Sequence, residues 1–249
     1  MLLLAALLLA PAPTGWTQKL KDGTTVTLAA VTNFYSRKSW TPDGKPSKTW
    51  IVAPLMAQMI KDSKHPDPKL SKVSNFVFNI KPKAGEPSVV VKIGAKYLSY
   101  AYTLKDSTRG MWWAGAGADN SKLPSSVDLK VGVGSSKWRT TSTHDLGSGQ
   151  DKGPKFFGNV LRVPARGTNP AMVLIEATIP RSIKGTSAAQ VKIFDQNGTA
   201  LASQGLGPVK SGGAPRYYFL DNGNRLVRAE LQTQPYTWLT FKGVRVKPK

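Results

Sequence analysis

The feature that most constrains the fold of this chain is an alternation of apolar and polar residues with a period of two. In the stretch NFVFNI, the side chains of Phe76, Phe78 and Ile80 fall on one face of an extended strand, and Asn75 and Asn79 fall on the other. The stretches TTVTLAAVT, SVVVKIG, YLSYAYTL and VDLKVGVG repeat the pattern. Such alternation is typical of strands with one buried face, so it predicts antiparallel β-sheets.

Turn sequences separate these strands at intervals of roughly ten residues. Each of these turns has Asp or Asn directly before a glycine, and these residue types accept positive φ at little cost. The turn sequences are KDGT, PDGK, DQNGT and DNGN. Only APLMAQMIKDS, residues 53–63, has apolar residues at helical spacing. The sequence therefore predicts an all-β fold of one large or two tandem antiparallel β-sandwich domains, with at most one or two short helices.

The first residues, MLLLAALLLAPAP, form an apolar run followed by small residues, which is the pattern of a cleaved export signal. The run is shorter than the ~20 residues that a transmembrane helix needs, so we expect no transmembrane segment. We predict a signal peptide at residues 1–15, an N-terminal β-sandwich at 16–150, and a C-terminal β-sandwich domain, or half of one, at 151–249. Export implies a periplasmic, envelope-associated or secreted protein.

The net charge limits the classes of partner. The chain has 35 Lys and Arg against 14 Asp and Glu, a formal net charge of +21, and no run of five like charges. A nucleic-acid-binding arm would concentrate basic residues, and no nucleic-acid-binding motif is present, so we expect no specific nucleic acid. An evenly cationic surface favours an anionic envelope polymer, a glycan or a membrane-associated protein as partner, although the same charge is compatible with no partner at all.

Few residues are candidates for catalysis. The absence of cysteine removes thiol chemistry, and neither His65 nor His144 has a partner at metal-ligand spacing, so we expect no metal site and no cofactor. Glu176 and Glu230 interrupt apolar strands and could be the paired carboxylates of a carbohydrate-active enzyme. Alternatively, each faces solvent or pairs with an arginine such as Arg228. We predict a non-catalytic module that binds or senses anionic polymer or glycan, with the enzyme as the alternative.

Tryptophans are the most distinctive binding candidates. Trp112 and Trp113 are adjacent, so in a strand one points outward, where it could stack on a sugar ring or cover the end of a sandwich. In WTPDGKPSKTW, turn geometry alone accounts for the Pro, Asp and Gly between Trp40 and Trp50. We therefore interpret that loop as structural, with ligand binding as the alternative. The candidate ligand-binding residues are Trp40, Lys45, Arg109, Trp112 and Trp113.

Three segments, in order along the chain, carry a family resemblance. They are LKDGTTVTLAAVTNFYSRKSWTPDGKP, VDLKVGVGSSKWRTTST and AELQTQPYTWLTFKGVRVKP. Together they resemble an uncharacterised family of bacterial extracytoplasmic β-domains, whose C-terminal signature usually has Arg where this chain has Gln234. The resemblance extends from Lys21 to Pro248. It implies export, β-architecture and a non-enzymatic sensing or interaction role, sometimes in fusion with membrane regulatory zinc peptidases, and it transfers no catalytic residue.

Overall fold

The computed structural model describes residues 16–33, 35–48, 72–94, 97–100, 102–106, 110–147, 151–152, 156–179, 183, 185–207 and 216–249. This part of the chain is almost entirely antiparallel β-sheet and contains no helix of seven or more residues. The prediction of an all-β fold is confirmed. The predicted helix at residues 53–63 lies outside the described residues, as do Arg109, Trp50 and His65.

The described part contains eighteen strands and a 3₁₀ helix at Asn120–Lys122. Numbered in chain order, the strands are β1 Thr17–Lys19, β2 Thr25–Asn33, β3 Lys38–Trp40, β4 Val73–Lys81, β5 Ser88–Ile93, β6 Tyr97–Tyr100, β7 Tyr102–Asp106, β8 Met111–Asp119, β9 Ser126–Gly134, β10 Arg139–Asp145, β11 Asp151–Lys152, β12 Phe157–Val163, β13 Met172–Ala177, β14 Ser187–Asp195, β15 Ser203–Gly207, β16 Arg216–Leu220, β17 Leu226–Pro235 and β18 Thr237–Arg245.

The first of two compact units comprises residues up to Ser136 together with Tyr236–Lys249. Its sheet 1 has the strand order β1-β2-β4-β8-β7, with β3 also paired to β2, and its sheet 2 has the order β18-β9-β5-β6. The core lies between these sheets, since its buried residues come from both. Phe76, Phe78 and Ile80 are all fully buried there, as the alternation predicts. The ring of Phe78 meets that of Phe241 from sheet 2 at 6.1 Å between centroids.

The second unit comprises Lys137–Pro235 and is also a two-sheet sandwich. Sheet 3 has the order β11-β10-β17-β14, and sheet 4 has the order β12-β13-β16-β15. Alternate residues of β13 and β16 in sheet 4, and of β14 and β17 in sheet 3, supply the core between them. The buried core residues are Phe157, Val173, Ile175, Ala177, Val191, Ile193, Leu201, Tyr217, Phe219, Ala229 and Leu231.

The second unit is inserted between two neighbouring strands of the first. The chain leaves the first unit after β9 and returns in β18, and these strands pair directly, with Val133 opposite Thr237. This division differs from the predicted boundary at residues 150 and 151. That boundary would separate β10 from β17, although His144 of β10 lies opposite Ala229 of β17. The Gly-rich stretch at the predicted boundary joins β10 to its partner β11.

Candidate anion-binding site

The two adjacent tryptophans of β8 point to opposite faces of sheet 1. Trp112 is partly buried against the core of the first unit. Trp113 lies on the other face, opposite Asn79, and only 5% of its surface is exposed. Its indole Nε1 is buried and has no hydrogen-bond partner among the described residues. Trp113 therefore offers no exposed ring on which a sugar could stack.

The turn that contains Trp40 and Lys45 makes its contacts inside the first unit. Trp40 is buried, and its indole Nε1 donates to the backbone oxygen of Arg245 at 3.0 Å. Gly44 has φ +94°, which glycine accepts readily, and its carbonyl accepts from the backbone N–H of Lys249 at 3.0 Å. The Lys45 ammonium lies 3.3 Å from the Asp43 carboxylate and is largely exposed. These contacts favour the structural interpretation of the turn.

The two glutamates considered for catalysis lie on different sheets of the second unit. Val173, Ile175 and Ala177 of β13 face the core, so Glu176 faces outward from sheet 4. Likewise Ala229 and Leu231 of β17 face the core, so Glu230 faces outward from sheet 3. The two carboxylates therefore point away from the sandwich on opposite sides and share no cleft.

Each glutamate is also paired with an arginine. Glu176 Oε1 lies 3.0 Å from Arg216 Nη2 on the neighbouring strand. Glu230 Oε1 accepts from Arg228 Nε at 2.9 Å. Burial alone raises the pKa of Glu230, but its hydrogen bonds from Arg228, Gln232 and Thr140 outweigh this effect and hold the pKa below its ordinary value. A carboxyl held ionised in this way is a poor general acid.

An open cleft of about 680 Å³ lies in the described part of the second unit. It lies between the end of β10, the strand β12 and the loop that joins β16 to β17. Its lining residues are His144, Leu146, Gly158, Val160, Arg162, Gly223, Arg225 and Leu226. Two guanidinium groups and one imidazole thus meet in this site, and none of its described lining residues is Asp or Glu. Its volume is within the usual range for ligand pockets.

The two arginines of the cleft differ in how they are held. Arg162 Nε lies 3.4 Å from Asp221 Oδ2, and its Nη2 donates to the backbone oxygen of Asn224. These contacts fix its position and offset part of its charge. Arg225 is exposed and has no carboxylate within 4 Å among the described residues. Among the described residues, its charge is therefore less offset by carboxylates than that of Arg162.

A buried carboxylate anchors the loop that carries Arg225. Asp195 is 1% exposed, and its Oδ2 accepts from the side-chain amides of Asn222 and Asn224, each at 2.8 Å. Its Oδ1 accepts from the backbone N–H groups of Asn197 and Thr199. The hydrogen bond from Asn224, with the other three, lowers the pKa of Asp195 despite burial. Asp195 thus stays ionised and positions the loop.

Among the residues that line the cleft, His144 is the one that the sequence analysis weighed as a functional candidate. Its ring lies 5.8 Å from the ring of Phe157, between centroids, at the wall of the cleft. No group of three or more His, Cys, Asp or Glu side chains that could hold a metal occurs among the described residues. Arg162 and Arg225 were missed, because nothing in their local sequence separates them from the other basic residues. The DNGN turn beside Arg225 was the only local signal.

Protein-family models and curated proteins give no relative from which a role could be transferred. No protein-family model matches this sequence, and no curated protein matches it. The resemblance to extracytoplasmic β-domains therefore stays a prediction. In the described residues there is also no helix with the length and apolar character needed to span a bilayer.

Proposed function

We propose that this protein is an exported, non-catalytic β-sandwich module that binds anionic polymers at the cell envelope through the cleft of its second unit. The observation that carries the proposal is the meeting of Arg162, Arg225 and His144 in one open cleft, whose described lining residues include no Asp or Glu. The net charge of +21 supports it, because a cationic surface draws anionic polymers toward the molecule.

The chemistry of the cleft matches carboxylate, sulfate or phosphate groups. A guanidinium is planar and presents its N–H donors as a fork that fits two oxygens of such an anion. Arg162 is already oriented by Asp221, so it loses little freedom when a ligand binds. Arg225, which has no acidic partner among the described residues, supplies the less compensated charge. An open cleft suits a polymer because the chain can enter and leave at the ends.

Two further observations support export and a non-catalytic role. The apolar run at residues 2–10, followed by small residues, has the pattern of an export signal. The described lining of the cleft does not include the pair of carboxylates that hydrolysis of a glycosidic bond needs, and Glu176 and Glu230 are not among its lining residues. We therefore favour binding over the carbohydrate-active enzyme.

The test is a comparison of two charge-removing variants. Arg225→Gln removes a guanidinium from the cleft, whereas Arg139→Gln removes one from the start of the same strand that carries His144. Arg139 is exposed and lies roughly 16 Å from His144 at ~3.3 Å per residue of strand. Binding of the purified protein to heparin, as a sulfated probe, and to polygalacturonate, as a carboxylated probe, is measured at low and moderate salt.

We expect Arg225→Gln to weaken binding about tenfold or more, as expected when a charged hydrogen bond worth roughly 1.5–3 kcal/mol is lost. Arg139→Gln should change it less than about twofold, because an exposed charge outside the site contributes little. Equal losses in both variants would mean that attraction is spread over the whole surface and that the cleft is not the site. Absence of binding to both polymers at low salt would exclude sulfated and carboxylated glycans as ligands of the cleft, and the same result with an acidic polypeptide would reject the proposed function.

A further inference from the structure

The strand β12 lies at the edge of sheet 4. Among the described strands it pairs only with β13, in a regular antiparallel register from Val160 opposite Ile175 to Val163 opposite Met172. A bulge between Phe157 and Val160 precedes this regular stretch. The outer edge of such a strand presents unpaired backbone N–H and C=O groups, which can accept a further strand. Phe157–Val163 contains neither lysine nor proline, and its bulge, another feature that protects an edge, lies before the regular stretch that begins at Val160.

One side of this edge strand is apolar and exposed. Leu161 is 57% exposed and Val163 is 36% exposed, and both face outward because Val160 and Arg162 face the core side. The outward face continues across β13 and β16 in two rows of register partners. These rows are Leu161, Leu174 and Tyr218, and Val163, Met172 and Leu220.

The other side of the same strand is cationic. Arg162 points toward the cleft, where Arg225 joins it. A strand added beside β12 would therefore place alternate side chains against an apolar row and against two guanidinium groups. The described lining residues of the cleft also include no tryptophan, tyrosine or phenylalanine on which a sugar ring could stack. Both observations favour a polypeptide over a glycan.

We infer that the ligand of this site is an extended acidic polypeptide segment that adds to sheet 4 as a fifth strand along Val160–Val163, with alternating acidic and apolar side chains. This inference rests on the proposed anion-binding function and names the ligand within it. Backbone hydrogen bonds along the edge supply affinity, and the alternation supplies specificity. The acidic residues face Arg162 and Arg225, and the apolar residues extend the rows of Leu161 and Val163.

The probe is a short fluorescent peptide that alternates valine and glutamate, and its binding to the purified protein is measured by anisotropy. A peptide of equal composition in block order, with all valines before all glutamates, tests the alternation. Two N-methylated versions of the alternating peptide test the backbone hydrogen bonds. One is methylated at the odd-numbered residues and the other at the even-numbered residues, so that each phase of N-methylation blocks the N–H groups on one edge of the peptide strand. Leu161→Lys tests the apolar row, and Arg139→Gln is the charge control for Arg225→Gln. Heparin is measured in parallel.

We expect the alternating peptide to bind at least about tenfold tighter than the block peptide. Only the alternating peptide can place its valines beside the apolar row and its glutamates beside the arginines at the same time. One phase of N-methylation should abolish binding while the other leaves it nearly intact. Leu161→Lys and Arg225→Gln should each weaken peptide binding, and Arg139→Gln should not. Equal binding of the alternating and block peptides, or insensitivity to both N-methylation phases, would overturn strand addition. Heparin binding without peptide binding would overturn this inference and leave the proposed function, whereas binding of neither would overturn both.

Discussion

Replacement of Phe241 by alanine tests whether the last strand completes the core of the first unit. Phe241 lies on β18, which follows the inserted second unit in sequence, and its side chain is 1% exposed. It pairs across the sandwich with the ring of Phe78, which is fully buried. If the insertion is correct, a substitution beyond residue 235 must destabilise the unit that begins near residue 16.

The expected size follows from the burial and the ring contact. Truncation of a buried Phe to Ala typically costs about 3–5 kcal/mol, because apolar contact is lost and a cavity remains. The aromatic pair contributes about 0.5–1.5 kcal/mol of this. A double-mutant cycle of Phe78→Leu, Phe241→Leu and the double variant should therefore give a coupling free energy of that size between the two rings. With a total stability of roughly 5–15 kcal/mol for a typical domain, Phe241→Ala removes a large part of the free energy of unfolding.

The assay is urea denaturation followed by tryptophan fluorescence. Of the six tryptophans that the structure describes, five lie in the first unit and Trp138 is the exception, so the fluorescence signal reports mainly on the first unit. Phe219→Ala, at a fully buried site in the second unit, is the matched control and should leave the main fluorescence transition in place. The insertion would be refuted if Phe241→Ala lowered the free energy of unfolding of the first unit by less than about 1 kcal/mol. It would also be refuted if the substitution shifted the unfolding transition of the second unit instead.

Two further predictions concern single side chains. Because the folded protein lowers the pKa of Asp195 below its ordinary 3.8, this carboxylate stabilises the fold above that pH, and the contribution is lost as pH falls through the lowered pKa. Acid denaturation monitored by hydrogen exchange of the loop at 221–225 should show this loss in the wild type, and Asp195→Asn should remove that dependence. Gly132→Ala should destabilise the first unit by about 1–3 kcal/mol in urea denaturation, since overpacking forces neighbours to move. An added Cβ would lie 2.9 Å from Val90 Cγ1 and 3.1 Å from two indole carbons of Trp238, so unchanged stability would contradict the packing.

The strands and the buried faces could be predicted from the sequence because they depend on local alternation. Val89, Val91 and Ile93 share a face in the sequence pattern, and all three are buried in the core of the first unit. The pairing of Glu230 with Arg228, which the sequence offered as one interpretation, is also confirmed. In these cases the residues that share a face of a strand are two positions apart, so the alternation in the sequence is enough to identify them.

The strand order could not be predicted in the same way. Which strand pairs with β9 depends on contacts across about a hundred residues, and the local pattern of β18 resembles that of any other half-buried strand. The Gly-rich stretch between His144 and Lys155 suggested a linker, yet β10 and β11 pair across it. Composition alone does not separate a linker from a connection between paired strands.

The cleft escaped sequence analysis for a related reason. Arg162 and Arg225 come from an edge strand and from a loop that Asp195 holds in place, and only the fold of the second unit brings them together. The sequence favours tryptophans as ligand-binding candidates because exposed aromatic rings often bind ligands. Two of them, Trp40 and Trp113, are instead buried.

The most direct test of the proposed function is an NMR titration of the arginine side-chain Nε–Hε signals with a heparin oligosaccharide at moderate salt. Binding in the cleft predicts that the signals of Arg162 and Arg225 shift together and saturably, while the signal of Arg139 stays in place. Shifts of similar size at arginines of both units, without saturation at any of them, would contradict a site in the cleft. They would show that the protein attracts polyanions only through its net charge.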